Sequence, residues 1–293
     1  VTCYHPVALK RPKERYGQMI VPCGRCIGCR LDYAGMWAMR CVKEAECHTL
    51  NSFLTLTYKP EELPYGKPDI NGEVRPTLFP SHLRNFWKRL RKVVGNERFR
   101  YYACGEYGER RHRPHYHSIV FGIDFEDKVH TDTNPVTGDK YYSSALLDSV
   151  WGHGDCIIGD VSYESASYVA RYLIDKKTGN RALVYDEQGI EPEFCRMSRR
   201  PGIGADWFFR FKSDISAHDY VVHDGRKRGL PRYFTKLLEQ VDPLRHEEVK
   251  EVRKEKAEAS YWRQRELGAA PLKIREKFKR AQVMRFLRNL GDK

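Results

Sequence analysis

The sequence has no unbroken apolar run of the roughly 18 residues that a membrane helix needs, which excludes a helical membrane span. It has no internal repeat and no low-complexity tract, so solenoids and compositionally biased linkers are also excluded. Its start lacks the basic residues and apolar stretch of a secretory leader, and none is expected. Acidic residues are in deficit, 39 against 52 basic ones, and the net charge of +13 points to a polyanionic partner. Nucleic acid comes first and an anionic membrane surface second, ahead of a merely solvated basic surface. The nine cysteines are odd in number and six fall in the first 47 residues. With no leader, a reducing compartment is expected rather than a disulfide framework. What the chain does have is core material. A 41% hydrophobic and 12% aromatic share over 293 residues suffices for one large domain or two modest ones.

Three zones follow from composition: a cysteine-rich basic arm over 1–47, a mixed strand and helix zone over 48–215, and a charged, helix-prone zone over 216–293. Ser52 to Tyr58 alternates and is rich in β-formers, so it reads as a strand. The proline- and glycine-bearing stretch from Lys59 to Pro80 reads as a loop. Leu83, Phe86, Trp87, Leu90, Val93 and Val94 recur at helical spacing from Pro80 to Gly95, with basic residues around the other faces. Phe99–Glu106 and Pro114–Ile123 read as strands, and the short connection pairs them as an antiparallel hairpin. Ser143–Trp151 reads as a helix, Cys156–Tyr163 as a strand and Glu164–Lys177 as a helix. The order β-α-β-β-α-β-α predicts an α+β fold, a central antiparallel sheet backed by helices.

His115 and His117 flank one residue of the predicted strand, so both imidazoles leave the same face about 7 Å apart along the chain and can share one metal. The hairpin puts Glu106 across from them, with Glu109 in the predicted turn ranking second. Two imidazoles and a carboxylate suit a divalent cation that must also hold substrate oxygen. Tyr168 and Tyr172, at i and i+4 on the last helix, share a face, and Lys176 continues the line with Arg171 and Lys177 adding charge. Taken alone, each pattern also fits an ordinary half-buried strand or helix. Together they make chemistry: a phenol of pKa about 10 needs a cation beside the phosphate it attacks to become an effective nucleophile.

Cys23, Cys26 and Cys29 form a C-x2-C-x2-C run that chance produces in roughly one chain in a hundred of this composition. The spacing suits a structural Zn2+, with Cys3, Cys41 or His5 as fourth ligand and Cys3 favoured; unligated reduced thiols are the alternative. Cys41, Cys47, Cys104, Cys156 and Cys195 read as small core residues. The glycine-rich basic stretch from Met197 to Gly204 reads as a DNA-backbone contact through Arg199 and Arg200, or as a plain loop. Residues 243–293 carry 15 Lys and Arg against 8 Asp and Glu; the alternating charges from Glu247 to Lys256 mark a solvated helix face.

The stretches FLTLTY at 53–58, YYACGEYGERRHRPHYHSIVFG at 101–122, YVARYLIDKK at 168–177, MSRRPGIG at 197–204 and VPCGRCIGCR at 21–30 resemble the HUH superfamily of single-strand DNA endonucleases. Within it the chain resembles the rolling-circle replication initiators of the Microviridae, the gokushovirus-like single-stranded-DNA phages. The likeness spans roughly residues 20 to 215. Tyr116 departs from the family pattern, which has a bulky apolar residue between the histidines, and leaves a third phenol near the site. The resemblance implies a ferredoxin- or RRM-like HUH core. It also implies site-specific nicking of single-stranded origin DNA, with a hairpin as the expected target, through a covalent 5′-phosphotyrosine, followed by strand joining. It assigns His115, His117 and Glu106 as ligands of Mg2+ or Mn2+, Tyr168 and Tyr172 as nucleophiles, and Lys176 as phosphate support. Host replication machinery is the implied partner and the bacterial host cytoplasm the implied location. A non-catalytic single-stranded nucleic-acid-binding protein, and an HUH transposase or relaxase, are the competing readings.

Overall fold

The computed structural model describes residues 3–10, 18–108, 111–135, 137–175, 182–266 and 270–291, with backbone alone at 10, 18–19, 171–175, 216–217, 261, 264–266 and 285–291. The chain divides into two compact units, Trp37–Arg210 and a second made of Val1–Met36 with Phe211–Lys293.

In chain order, β1 (Val7–Lys10) pairs antiparallel with β2 (Gln18–Val21), and α1 covers Ile27–Ala45. There follow β3 (Asn51–Leu56), α2 (Pro80–Val94), β4 (Arg100–Tyr107), β5 (Pro114–Phe121), β6 (Val129–Thr133) and β7 (Lys140–Ser143). Next come α3 (Ala145–Trp151), β8 (Cys156–Gly159), α4 (Tyr163–Asp175), α5 (Leu183–Glu187), β9 (Phe194–Met197) and α6 (Ala205–His218). The chain continues through the hairpin β10 (Tyr220–His223) and β11 (Arg226–Gly229), then α7 (Arg232–Val241), α8 (Pro243–Glu266) and α9 (Leu272–Gly291). The fold is α+β, as the element order predicts. No helix among the described residues is long and apolar enough to cross a membrane.

Seven strands form one antiparallel sheet in the order β6-β7-β8-β3-β5-β4-β9. Helices cover both faces. On one, Leu54, Leu56, Tyr116 and Val120 pack with Leu83, Phe86, Trp87 and Leu90 of α2 and with Leu147 and Trp151 of α3. On the other, Tyr102, Cys104, Ile119 and Phe121 pack with Ala38, Cys41 and Val42 of α1 and with Ala166 and Val169 of α4. Because β3, β4 and β5 are buried on both faces, they read as nearly continuous apolar runs.

Caps set the helix limits. Ser144 accepts a hydrogen bond from the Leu147 N–H (3.0 Å), so α3 starts at Ala145 and not at Ser143. The expected strand through Tyr163 stops at Gly159, because Ser162 and Ser165 cap each other reciprocally (3.1 and 2.8 Å) and commit Tyr163 to α4. Arg89 leaves the basic face of α2 and donates to the Val150 and Trp151 carbonyls (2.6 and 2.7 Å), neutralising the C-terminal end of α3. Cys41, Cys104 and Cys156 are buried in the core as expected, whereas Cys47 and Cys195 are only half-buried. The face from Glu251 to Ser260 on α8 is almost wholly exposed, in keeping with its alternating charges.

Gly154 lets the turn before β8 lie against the backbone beyond β3, where Lys59 N–H donates to His153 O (2.8 Å). A Cβ at Gly154 would stand 2.5 Å from Thr57 O and 2.6 Å from Lys59 N, both backbone atoms. Gly154→Ala should therefore cost about 1–3 kcal/mol, read as a lowered Tm or denaturation midpoint, by the usual cost of overpacking. Gly138→Ala, at a turn with open space around it, should cost less.

Candidate metal centre and its tyrosine helix

The β4–β5 register pairs Glu106 with His115 and Cys104 with His117, and β3 sets Thr55 beside His117. Side chains alternate across a sheet, so Glu106, His115, His117 and Thr55 share the face covered by α1 and α4. Glu106 Oε1 lies 2.6 Å from His115 Nε2 and 3.1 Å from His117 Nε2. The two rings meet edge to face, 4.9 Å between centroids. Each imidazole is held through its other nitrogen. His115 Nδ1–H donates to the Arg113 carbonyl (3.0 Å), and His117 Nδ1 shares a hydrogen bond with the Thr55 hydroxyl (3.0 Å). Both Nε2 atoms therefore face Glu106, the outer-shell arrangement that orients histidine ligands.

Burial pushes the Glu106 carboxyl up, but its bonds to the two imidazoles outweigh this and hold it below the usual range. Burial works against a charged His115, yet the Glu106 carboxylate and the Arg113 carbonyl leave it raised. His117 is lowered, burial winning over the Glu106 carboxylate. Glu106 Oε2 is buried and has no hydrogen-bond partner. An orphaned carboxylate oxygen between two oriented imidazoles fits a divalent cation, which would supply the missing partner. The ligand atoms of Glu106, His115 and His117 all lie within 4.8 Å of one another, close enough for one ion.

The Tyr168 ring on α4 stands edge-on to His117, 5.1 Å between centroids. Ala166, Val169 and Ala170 of the same helix are fully buried and turn that helix face to the sheet. Glu106, His115, His117 and Tyr168 are thus brought together. The side chains of Arg171 and Tyr172 lie outside the described residues, as do Glu109, Lys176 and Lys177 entirely. Arg199 and Arg200 are exposed on the turn after β9. That turn is anchored from within: Arg40 Nε donates to Ile203 O (3.0 Å), and Gly204 N–H donates to the fully buried Glu44 (2.6 Å). Arg100 meets the same Glu44 carboxylate at 3.1 Å.

Tyr116 corrects one expectation. It faces away from the histidines, fully buried, with its phenol between Tyr58 Oη (2.9 Å) and both the N–H (2.9 Å) and carbonyl (3.1 Å) of Phe79. It is not a phenol near the site. Thr55 was missed, although its place in the FLTLTY strand, one position from the core-facing Leu54 and Leu56, puts it on the histidine face.

The family model for the replication-associated protein ORF2 matches residues 51–178, which carry this whole arrangement. The replication-associated protein ORF2 of Spiroplasma virus 4 is 36% identical over 228 residues, 75% of this chain and 68% of the relative. The replication-associated protein VP4 of Bdellovibrio phage phiMH2K is 32% identical over 230 residues, 77% of this chain and 69% of the relative. The chain belongs to this family of replication-associated proteins. A third relative, the replication-associated protein ORF4 of Chlamydia phage 1, is 29% identical over 229 residues, 75% of this chain and 54% of the relative. Membership gives this replication-associated protein a role in phage genome replication. No solved structure matches it.

If Thr55 orients His117, Thr55→Val should weaken Mn2+ binding about tenfold in calorimetry or electron paramagnetic resonance titration. Tyr116→Phe should leave Mn2+ affinity unchanged while lowering stability by about 1–3 kcal/mol, since it strips a buried hydrogen-bond hub.

Proposed function

We propose that this chain is an HUH-type nicking and joining enzyme that initiates rolling-circle replication on single-stranded phage DNA. The observation that carries the reading is the edge-on contact between Tyr168 and His117, which sets a phenol beside the Glu106–His115–His117 trio. In the nicking step a tyrosine phenol gives up its proton and its oxygen bonds to the scissile phosphorus. The bond from phosphorus to the 3′ oxygen breaks, and that oxygen takes a proton and leaves as a 3′ hydroxyl. The 5′ phosphate stays on tyrosine, so the bond energy is kept for joining. Bound Mg2+ or Mn2+ would polarise the phosphate and offset its growing charge. Glu106, His115 and His117 would hold it, and the Arg113 carbonyl and Thr55 would keep the imidazoles aimed.

Tyr168 and Tyr172 sit one helical turn apart in the sequence of α4, a spacing suited to two successive transfers without release of DNA. Lys176, Arg171, Lys177, Arg199 and Arg200 are the proposed phosphate contacts, and the +13 charge favours the polyanion generally. The origin is proposed to present a single-stranded site at a hairpin, and the released 3′ hydroxyl to serve a host polymerase in the bacterial cytoplasm. In this reading the zone 48–215 is the endonuclease core, flanked by the arm 1–47 and the basic helical region 216–293.

The test is incubation of end-labelled origin DNA with the protein and Mg2+ or Mn2+, run on a denaturing gel. Wild type should give a cut strand and a protein–DNA adduct whose tyrosine–nucleotide peptide is identified by mass spectrometry. The double variant Tyr168→Phe, Tyr172→Phe should lower the adduct by more than about a hundredfold. Replacing His115 and His117 with Ala should stop cutting while most DNA binding survives. Undiminished adduct in the double phenylalanine variant refutes the nucleophile assignment, and binding without either product favours a non-catalytic single-strand binder.

A further inference from the structure

A second cluster of ligating side chains lies outside the family-matched span. The Sγ atoms of Cys3, Cys23, Cys26 and Cys29 all lie within 4.8 Å of one another, and those of Cys23 and Cys29 are 4.0 Å apart. Four thiolates about 2.3 Å from one Zn2+ are separated by about 3.8 Å along the edges of a tetrahedron, so the observed spacing is that of a single ion. A four-iron cluster puts its own irons and sulfides between the thiolates and would hold them farther apart. A disulfide needs its sulfurs at about 2.0 Å, and all four cysteines are free.

The backbone is folded around the sulfurs. The N–H groups of Arg25 and Cys26 both donate to Cys23 Sγ (3.4 and 3.3 Å), as the loop turns back over its own first cysteine. Gly24 permits that turn with φ +72°. Tyr4 N–H donates to Cys26 Sγ (3.3 Å), and Cys23 N–H donates to Cys3 Sγ (3.2 Å). Four amides aimed at sulfur favour thiolate and orient it, which is the function of an outer shell around a metal. Cys26 immediately precedes α1 and Cys29 falls in its first turn, so the i, i+3 spacing puts both sulfurs on one side of the helix start.

The other candidates for the fourth position are otherwise engaged. His5 Nε2 pairs with the buried Glu276 at 2.6 Å, and Cys41 is fully buried in the core beside the sheet. The local apolar cluster is Cys3, Tyr4 and Cys26, with Cys23, Ile27 and Cys29 against them. Four of these six are the cysteines themselves, so apolar burial alone gives this corner little to fold on, and a metal staple would supply what is missing.

We propose that Cys3, Cys23, Cys26 and Cys29 form a four-thiolate structural Zn2+ site that ties the N-terminal segment to the start of α1. All four positions are protein ligands, so the site is closed to substrate. Its soft sulfurs also separate it from the nitrogen and oxygen donors of the Glu106 trio, so the two sites should take different metals.

The test uses the full chain purified under reducing conditions without added metal. Elemental analysis should find about one zinc per chain, retained through an EDTA dialysis that removes Mg2+ and Mn2+. Exchange with Co2+ should give intense visible bands of a tetrahedral site together with sulfur-to-cobalt charge transfer. Cys3→Ser with Cys26→Ser should cut zinc to below about a tenth of the wild-type content, whereas Cys47→Ser should keep it. Should the double variant fail to fold, the cobalt spectrum of the unmodified chain decides, and a spectrum without thiolate charge transfer overturns the proposal. So does iron with a brown chromophore, or folded reduced protein that neither contains nor takes up zinc.

Discussion

One constraint governs the centre of this protein: the pairing that sets Glu106 against His115. The side-chain period in a strand is two, so a slip of one residue would send both imidazoles into the opposite core and bring Tyr116 to the other face. The pairing is protected by burial on both sides. Val120 and Tyr116 are locked among α2 and α3, while Ile119 and Phe121 are locked against α1 and α4. A polar trio can persist there because each imidazole has an acceptor or hydroxyl on its second nitrogen and a carboxylate on its first.

Much of this was legible in the residues. The alternation of FLTLTY, the paired apolar runs around a short connection and the helical spacing from Leu83 to Leu90 each follow from a single local period. The placement of Glu106 opposite the histidines needed only the hairpin. What escaped had no such period. The β6–β7 hairpin is exposed along Val129–Thr133, so no buried face writes itself into the sequence. β9 is four residues long at a sheet edge and precedes a basic turn that dominated the reading. The limit between β8 and α4 depended on two serines capping each other, a contact of side chain with backbone that hydropathy does not carry. Cys47 and Cys195 look like core residues by type, but their depth depends on which elements stop nearby.

The sheet also separates tasks by face. The α1 and α4 side holds the ionisable trio and Tyr168, whereas the α2 and α3 side is an aromatic core in which Tyr58, Trp151 and Phe86 meet at oblique angles. Arg89, drawn from an otherwise basic helix surface, is spent on the carbonyl end of α3 and not on solvent. Glu44 has a comparable part on the other side, where one buried carboxylate holds Arg100 and the backbone of Gly204. The exposed arginines 199 and 200 are thereby displayed from a fixed base and not from a loose loop.

The phenol of Tyr116 joins the histidine strand to the first residues of α2 and to Tyr58. Each hydroxyl is satisfied in part by the other, so neither position is free to vary by itself. A lineage that acquires an aliphatic residue between the histidines strands the hydroxyl at 58 and the Phe79 amide in an apolar interior, and is under pressure to change 58 as well. Positions 58 and 116 should accordingly covary across descendants of this sequence, although neither touches the cation ligands and they lie far apart in the chain.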